Sequence, residues 1–359
     1  MKFYKTIDIY ITKKFLGTFF YAIALILSVA IVFDISENLD EFLSKEVSAK
    51  AIVFDYYLNF IPYFANLFSP LFTFIAVIYF TSKMAYNTEI IAILSSGVSY
   101  KRLMRPYIVS AFILASFSYI LGNYVIPPAN KTMHIFRQQN IDNIRIISER
   151  TIHRQIEPGL YIYMSNFSSN NVGSRFTMER FENSRLVEKL TADNIRWNKK
   201  SESWIINNYW KRTIHDEYEE LETGYIMDTT LNMTPDDYKT IKNEMETFPT
   251  PALNKEIKSM KMRGVNTIEW EIERHRRIAG PFSAFILTLI GAGLASRKIK
   301  GGLGLHLGLG LLLSFSYILF MQISTVFAIS GSTPPYIAVW IPNILYSVFA
   351  LFVFRWASR

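Results

Sequence analysis

Five long stretches of the chain contain no Asp, Glu, Lys or Arg: Leu16 to Phe33, Tyr56 to Ser82, Pro106 to Asn130, Ile278 to Ser296 and Gly301 to Phe354. A helix needs about 20 apolar residues to cross the hydrocarbon core of a bilayer. The last stretch is long enough for two crossings, and Gly331-Ser332-Thr333-Pro334-Pro335 supplies the turn between them. The pattern therefore predicts an α-helical membrane protein with six transmembrane helices. Between the third and fourth, residues 131–277 are hydrophilic and carry short runs rich in Ile, Tyr, Trp and Thr: Arg145 to Gln155, Leu160 to Asn166, Ser174 to Phe181, Leu186 to Asp193 and Ser203 to Ile214. Turn-forming groups such as Glu157-Pro158-Gly159 separate them, a spacing that predicts an antiparallel β-sandwich. Residues 235–277 are charged and helix-prone. The expected division is 1–130, 131–265 and 266–359.

Smaller patterns refine this plan. Residues 1–14 suit either a short amphipathic helix on the membrane surface or a plain extension of the first span. Asp34 to Lys50 is polar and reads as a short outer loop. Pro62 and Pro70 lie inside the second apolar stretch and suggest kinks, which membrane helices tolerate. Between the second and third spans, residues 87–97 read as a short helix with an apolar face. Asn87 or Thr88 can cap it, Glu89 falls in its first turn, and Gly97 ends it.

Charge fixes an expected orientation. With the N-terminus inside, the inner segments hold thirteen basic residues against two acidic ones, Asp8 and Glu89; of 38 basic and 30 acidic residues in all, 25 and 28 remain outside. The net charge of +8 is then a topology signal, with both termini cytoplasmic and the large domain on the far side, and not a footprint for nucleic acid. The apolar run of the first span is long and no small-residue cleavage site follows it, so it is read as a retained helix and not a signal peptide. No cysteine is present, which excludes disulfides, thiol nucleophiles and thiolate metal sites.

The chemistry-bearing residues are sparse. No phosphate-binding loop of the Gly-Lys type occurs, and the glycine-rich segments lie in or beside spans with no strand before them. Gly304 and Gly308 are read instead as a small face for close helix packing. His134, His153, His215, His275 and His306 show no metal-ligand spacing. His306, near the inner end of the fifth span, reads as a local structural residue. No bound cofactor is expected. The spans lack the titratable groups of an ion-coupled pump, so a permease of this kind needs an external energy source or has a passive role. The short helix at 87–97 is where such a source could dock; the bland alternative is a helix lying on the lipid surface.

Several segments resemble the LptF/LptG permease family of lipopolysaccharide export. They are Ile7-Asp8-Ile9-Tyr10-Ile11 at the start, Met84 to Arg105 with Glu89 and Gly97 in the inner loop, Gly122 to Pro128 at the end of the third span, and Thr333-Pro334-Pro335. The order of three spans, β domain and three spans adds to the likeness. The resemblance implies a multi-pass protein of the bacterial inner membrane, with a periplasmic jellyroll domain. It implies a second permease of the same type, a cytoplasmic LptB-like ATPase dimer that uses ATP and Mg, LptC-like and LptA-like periplasmic proteins, and lipopolysaccharide as cargo. It implies an ATPase-docking surface of Glu89, Ile90, Ile93, Leu94 and Gly97, with Arg102 and Arg105 as added contacts, although positive-inside anchoring explains these two equally well. The first and fifth spans would be lateral gates, with Phe19, Ile26, Phe33, Asp34, Phe315, Leu319 and Gln322 as candidates. One departure stands out: the outer end of the first span reads Asp34 to Glu41 with no Lys or Arg, so its carboxylates would repel lipid phosphates unless a cation intervenes.

Other classes are weaker. Lipoprotein-release and efflux permeases usually place their large domain after the first span. A membrane enzyme acting on lipid-linked sugars needs acidic or histidine clusters at a membrane face. A scaffold for envelope assembly leaves no sequence mark to test.

Overall fold

The computed structural model describes residues 6–141, 147–148, 150–168, 170–199, 201–215, 217–240, 244–262, 264–297 and 302–358. Its helices and strands, in order, are α1 (Thr6–Ser44), α2 (Ala49–Ala51), a π-helical segment Ile52–Tyr57, α3 (Leu58–Tyr86), α4 (Glu89–Ser95), α5 (Tyr100–Ile120), a second π-helical segment Leu121–Val125 and α6 (Ile126–Asn140). Strands β1 (Ile147–Ser148), β2 (Arg150–Glu157), β3 (Leu160–Phe167), β4 (Val172–Glu182), β5 (Arg185–Asn198), β6 (Ser203–Ile214), β7 (Glu219–Thr229) and β8 (Lys239–Thr240) follow. The chain ends with α7 (Thr250–Met262), α8 (Ile268–Ala279), α9 (Phe282–Ala295), α10 (Gly302–Ile329) and α11 (Pro335–Ala357). Among the described residues, five helical stretches are long and apolar enough to cross a membrane, and the pair α8 and α9, bent by 50° at Gly280-Pro281, makes a sixth when counted as one broken span. The protein is thus a helical membrane protein with an antiparallel β domain inserted between its third and fourth spans.

Residues 6–14 continue into the first span without a break, the second of the two readings for this segment. Other boundaries differ from the sequence pattern. The segment expected as an outer loop is helical to Ser44, so only residues 45–48 connect to the next helix. A membrane helix can run on into the polar zone because its backbone bonds are satisfied internally. α3 passes through Pro62 and Pro70 as one helix. The run expected from Arg145 begins partly outside the described residues.

Two compact units make up the chain: Met1–Ile141 with Met245–Asn254 and Ile268–Arg359, and Asp142–Glu244 with Lys255–Thr267. In the first, α9 is the central helix and packs on α3, α5 and α11. Ten of its residues are buried, several of them small. Small residues let neighbouring backbones approach, which is the main source of helix association in lipid. A Cβ at Gly291 would lie 3.0 Å from Val77, and one at Gly293 only 2.5 Å from Val353. α1 buries Asp8, Ile11, Phe15, Phe19, Ile23 and Leu27, a stripe at three- and four-residue spacing. Its other faces are apolar too, as a helix in lipid requires.

The β unit is one six-stranded antiparallel sheet in the order β2-β3-β4-β5-β6-β7, with β1 and β8 paired separately. Each long strand pairs with its neighbour in sequence. Alternate residues of the sheet, among them Ile162, Met164, Phe176, Leu190, Ile195, Trp204 and Ile206, form the core. Met233 and Tyr238 close it, and the Trp204 indole donates to the Met233 carbonyl at 3.0 Å. β7 forms one edge and leaves Leu221, Tyr225 and Ile226 largely exposed.

Candidate functional site

The α4 end of the membrane unit gathers the residues expected to couple this chain to an energy source. Two residues, Asn87 and Thr88, join α3 to α4, so the chain must reverse sharply. Thr88 does so at φ +61° and therefore makes no side-chain cap; its hydroxyl donates back to the Asn87 carbonyl at 2.6 Å. An N-cap residue needs extended backbone, which this reversal denies. Gly97 ends the helix at φ +87°, a conformation that suits glycine, and Ser99 caps α5 by accepting from the Arg102 amide at 3.3 Å.

Glu89 does not project freely from this turn. Its carboxylate accepts from the Tyr10 hydroxyl at 2.9 Å and from the Asn87 amide at 3.4 Å, and lies 3.6 Å from the Lys14 ammonium. Lys14 in turn sits 4.3 Å over the Tyr10 ring. All these groups are partly exposed, so the contacts tie α4 to α1 without sealing it.

The structure divides the residues of the expected docking surface between two faces of α4. Ile90 is 1% exposed and belongs to the core cluster with Met84, Leu103 and Tyr107. Ile93 and Leu94 lie half-buried against the same cluster. Positions i, i+3 and i+4 share one helix face, and here that face turns inward. The outward face presents Ile91, Ala92, Ser95, Ser96 and Gly97. Arg102 is likewise not free: its two terminal nitrogens donate to both oxygens of Asp8, each at 2.6 Å. The Asp8 carboxylate is buried, and this bidentate pair joins α1 to α5. Arg105 remains exposed on α5.

α10 carries the second group. Gly304 and Gly308 do not serve packing within this chain: a Cβ at either meets nothing within 4 Å. The close approach occurs at Gly310, where a Cβ would lie 2.6 Å from Ile78. Gly304, Gly308, Phe315, Leu319 and Gln322 instead share one exposed face of α10, at four- and three-residue steps. On α1, Phe33 is exposed, Ile26 is half-buried, and Phe19 is buried on the inward stripe and so cannot face a lateral opening. His306 is buried and donates to the Arg297 carbonyl at 3.2 Å, a bond that closes the end of α9.

At the other end, Asp34 is already occupied. Tyr56 and Tyr57 donate to its two oxygens at 3.1 Å and 2.9 Å. The carboxylate expected to repel lipid phosphates is thus held inside the subunit by two hydroxyls of the π-helical segment. A larger network lies beyond it. Arg277 donates to Glu273 at 2.8 Å, to the Phe248 carbonyl at 2.8 Å, to the Met245 carbonyl at 3.1 Å and to the Thr250 hydroxyl at 3.2 Å. Arg276 bridges Glu273 at 2.5 Å and Glu246 at 3.3 Å. Burial raises the Glu246 carboxyl above its ordinary range despite the opposing pull of Arg276.

The Asp8 pair and the Arg277 network were not anticipated from sequence. Asp8 had a signal, because it lies three residues before Ile11 on the stripe that continues to Leu27. A carboxylate on an inward face needs a cation. Among the described residues no cluster of three His, Asp or Glu side chains is placed to hold a metal ion.

The family described as "Lipopolysaccharide export system permease LptF/LptG" matches this chain over residues 9–356. No curated protein matches the chain.

Proposed function

The chain belongs to the LptF/LptG family of lipopolysaccharide export permeases, and from that premise we propose that it is the membrane half of an ATP-driven lipopolysaccharide extractor. A separate cytoplasmic ATPase dimer hydrolyses ATP with Mg. It docks on the outward face of α4, and the lipid leaves the membrane between this chain and a second permease of the same type. In this reading the protein sits in the bacterial inner membrane with both termini cytoplasmic and the β unit periplasmic.

The observation that carries the coupling role is the placement of α4. It is a short helix outside the spans, rooted in the core by Ile90, with an uncovered outer face led by Ile91, which is 52% exposed. A helix anchored this way transmits a push to α3 and α5 as a rigid piece. Glu89 then acts as a swing contact: bound to Tyr10 and Lys14 in this state, it is accessible enough to exchange them for a cation of the ATPase. The exposed face of α10 from Gly304 to Gln322, with Phe33 of α1, faces the second permease and the lipid between them. The β7 edge, unpaired among the described residues, offers backbone to an LptC-like protein, and through it to an LptA-like bridge, by strand addition.

Co-expression with the neighbouring permease and a candidate ATPase tests this. The three should co-purify. Ile91→Asp should release the ATPase, and Glu89→Ala should abolish lipid transfer while the chain still folds. An ATPase that stays bound to both variants, with transfer unaffected, would overturn the coupling assignment.

A further inference from the structure

We propose that the cavity at the start of α5 is a binding site for an anionic phospholipid, with the phosphate held by Lys101 and Arg105 and one acyl chain lying along α5 toward α11. The cavity, of about 720 Å³, has Asp8, Lys101, Arg102 and Arg105 at one side and an apolar wall that includes Ile108, Leu289, Leu351 and Phe354. Its charge is unbalanced. Arg102 is spent on Asp8, which neutralises that pair. Lys101 and Arg105 have no hydrogen bond or ion pair among the described residues, so the cavity keeps two free positive charges.

The placement favours a lipid over a soluble anion. Lys101 and Arg105 are one turn apart on the same face of α5, and Ile108 and Phe112 continue that face into the span. Leu351 in the cavity wall is 60% exposed, and Phe112, beyond the cavity on the same face of α5, is 63% exposed, which suits surfaces that contact an acyl chain. The line thus runs from cationic to apolar over three turns, the order met in a phospholipid from headgroup to tail. Basic side chains at a membrane surface attract anionic lipid headgroups. Here the recess adds shape to that attraction. The proposal gives Arg105 to lipid and removes it from ATPase docking; it rests on the membrane topology and not on the coupling role of α4.

The test uses the full chain, purified with its partners and placed in nanodiscs containing phosphatidylglycerol and phosphatidylethanolamine. Both leaflets then have the same composition, so the assignment of inside and outside does not affect the result. Bound lipid is counted by native mass spectrometry. The wild type should retain phosphatidylglycerol with a preference on the order of tenfold over its bulk share. Lys101→Gln with Arg105→Gln should lose that preference. Leu351→Trp, which keeps both charges but fills the wall, should also lower retention. Lys83→Gln, at the same end but outside the cavity, should change nothing, and added inorganic phosphate should not displace the lipid. Thermal melts confirm that each variant is folded. Unchanged retention in the double variant would overturn the site, as would displacement by phosphate alone. Loss of the ATPase with lipid retained would assign the two cations to a protein partner instead. Glu89→Ala should leave lipid retention intact, so the failure of either reading is separable from that of the other.

Discussion

At the α4 end of the membrane unit, Glu89 is held by one hydroxyl, a long amide contact and a 3.6 Å ion pair, all partly exposed. At the far end, Arg277 makes four hydrogen bonds to one carboxylate, two carbonyls and a hydroxyl, with only 4% of its side chain exposed. The same residue types do opposite work. An exposed pair in high dielectric is worth little and is readily exchanged. A buried network is costly to assemble and costlier to break. The end proposed to engage an energy source is therefore held by replaceable contacts, and the opposite end, where the bent α8–α9 pair begins, is held by ones that cannot be traded singly.

The sharpest way to break the contrast is to remove Arg277. Arg277→Met leaves Glu273 short of a partner and two carbonyls without their donor. It should destabilise the membrane unit by about 3–5 kcal/mol, read as a large fall in melting temperature in detergent. Arg277→Lys should recover only part of that, because an ammonium lacks the planar fork that spans these acceptors. A melt unchanged by Arg277→Met would mean that the network is ornamental.

Asp34 occupies the middle of the scale. Tyr56→Phe together with Tyr57→Phe leaves its carboxylate with neither hydroxyl and should cost about 1–3 kcal/mol, measured by the same melt. The companion change, Asp34→Asn, should leave lipid binding and its response to divalent cations unaltered, because Asp34 already spends both oxygens inside the subunit. A gain in lipid binding on that change would show instead that the carboxylate faces the cargo.

Much of this arrangement was readable in the chain, and the unread part has a common cause. Absence of charge marks a membrane crossing directly, so Leu16 to Phe33 and Gly301 to Phe354 betray their spans without any partner. The strands from Leu160 to Ile214 announce themselves by alternation and intervening turns. β7 escapes because its edge position leaves Glu219, Glu220 and Glu222 in solvent, and three glutamates hide the alternation. Ile90, placed on the docking surface by the resemblance, is buried here; an apolar face on a short helix shows that it has a sticky side but not which neighbour covers it. Gly304 and Gly308 misled for the same reason, and Gly310, two positions on, faces α3. The pairing of Asp8 with Arg102 joins residues 94 positions apart, a distance at which only the fold can select the partner.

At the α4 end the expected effects on stability shrink. Glu89→Gln should cost at most about 1 kcal/mol, since its ion pair is long and part-exposed, while transport coupling falls sharply if the swing contact is real. Stability and coupling then separate in one variant, which none of the Arg277 changes should achieve. Equal losses in both would place Glu89 with the structural residues and erase the difference between the two ends.

Glu246 offers the finest test, because it probes whether the far end is held by charge or in spite of it. Burial raises its carboxyl, and the nearby Arg276 does not fully offset the rise. A carboxyl whose folded value lies above its unfolded value binds more protons in the folded state. Its contribution is therefore fully present below the unfolded value and is lost as pH rises through the folded one. Relative to Glu246→Gln, the wild type should lose stability as pH is raised from the ordinary carboxylate range toward neutrality, by a small amount. Subtracting the two melting curves at each pH isolates this group from all the others that titrate. A difference that grows in the opposite direction, with the wild type gaining on the variant as pH rises, would mean that the ion pair with Arg276 outweighs desolvation. The far end would then be held by attraction between charges, as the α4 end is, and burial alone would distinguish them.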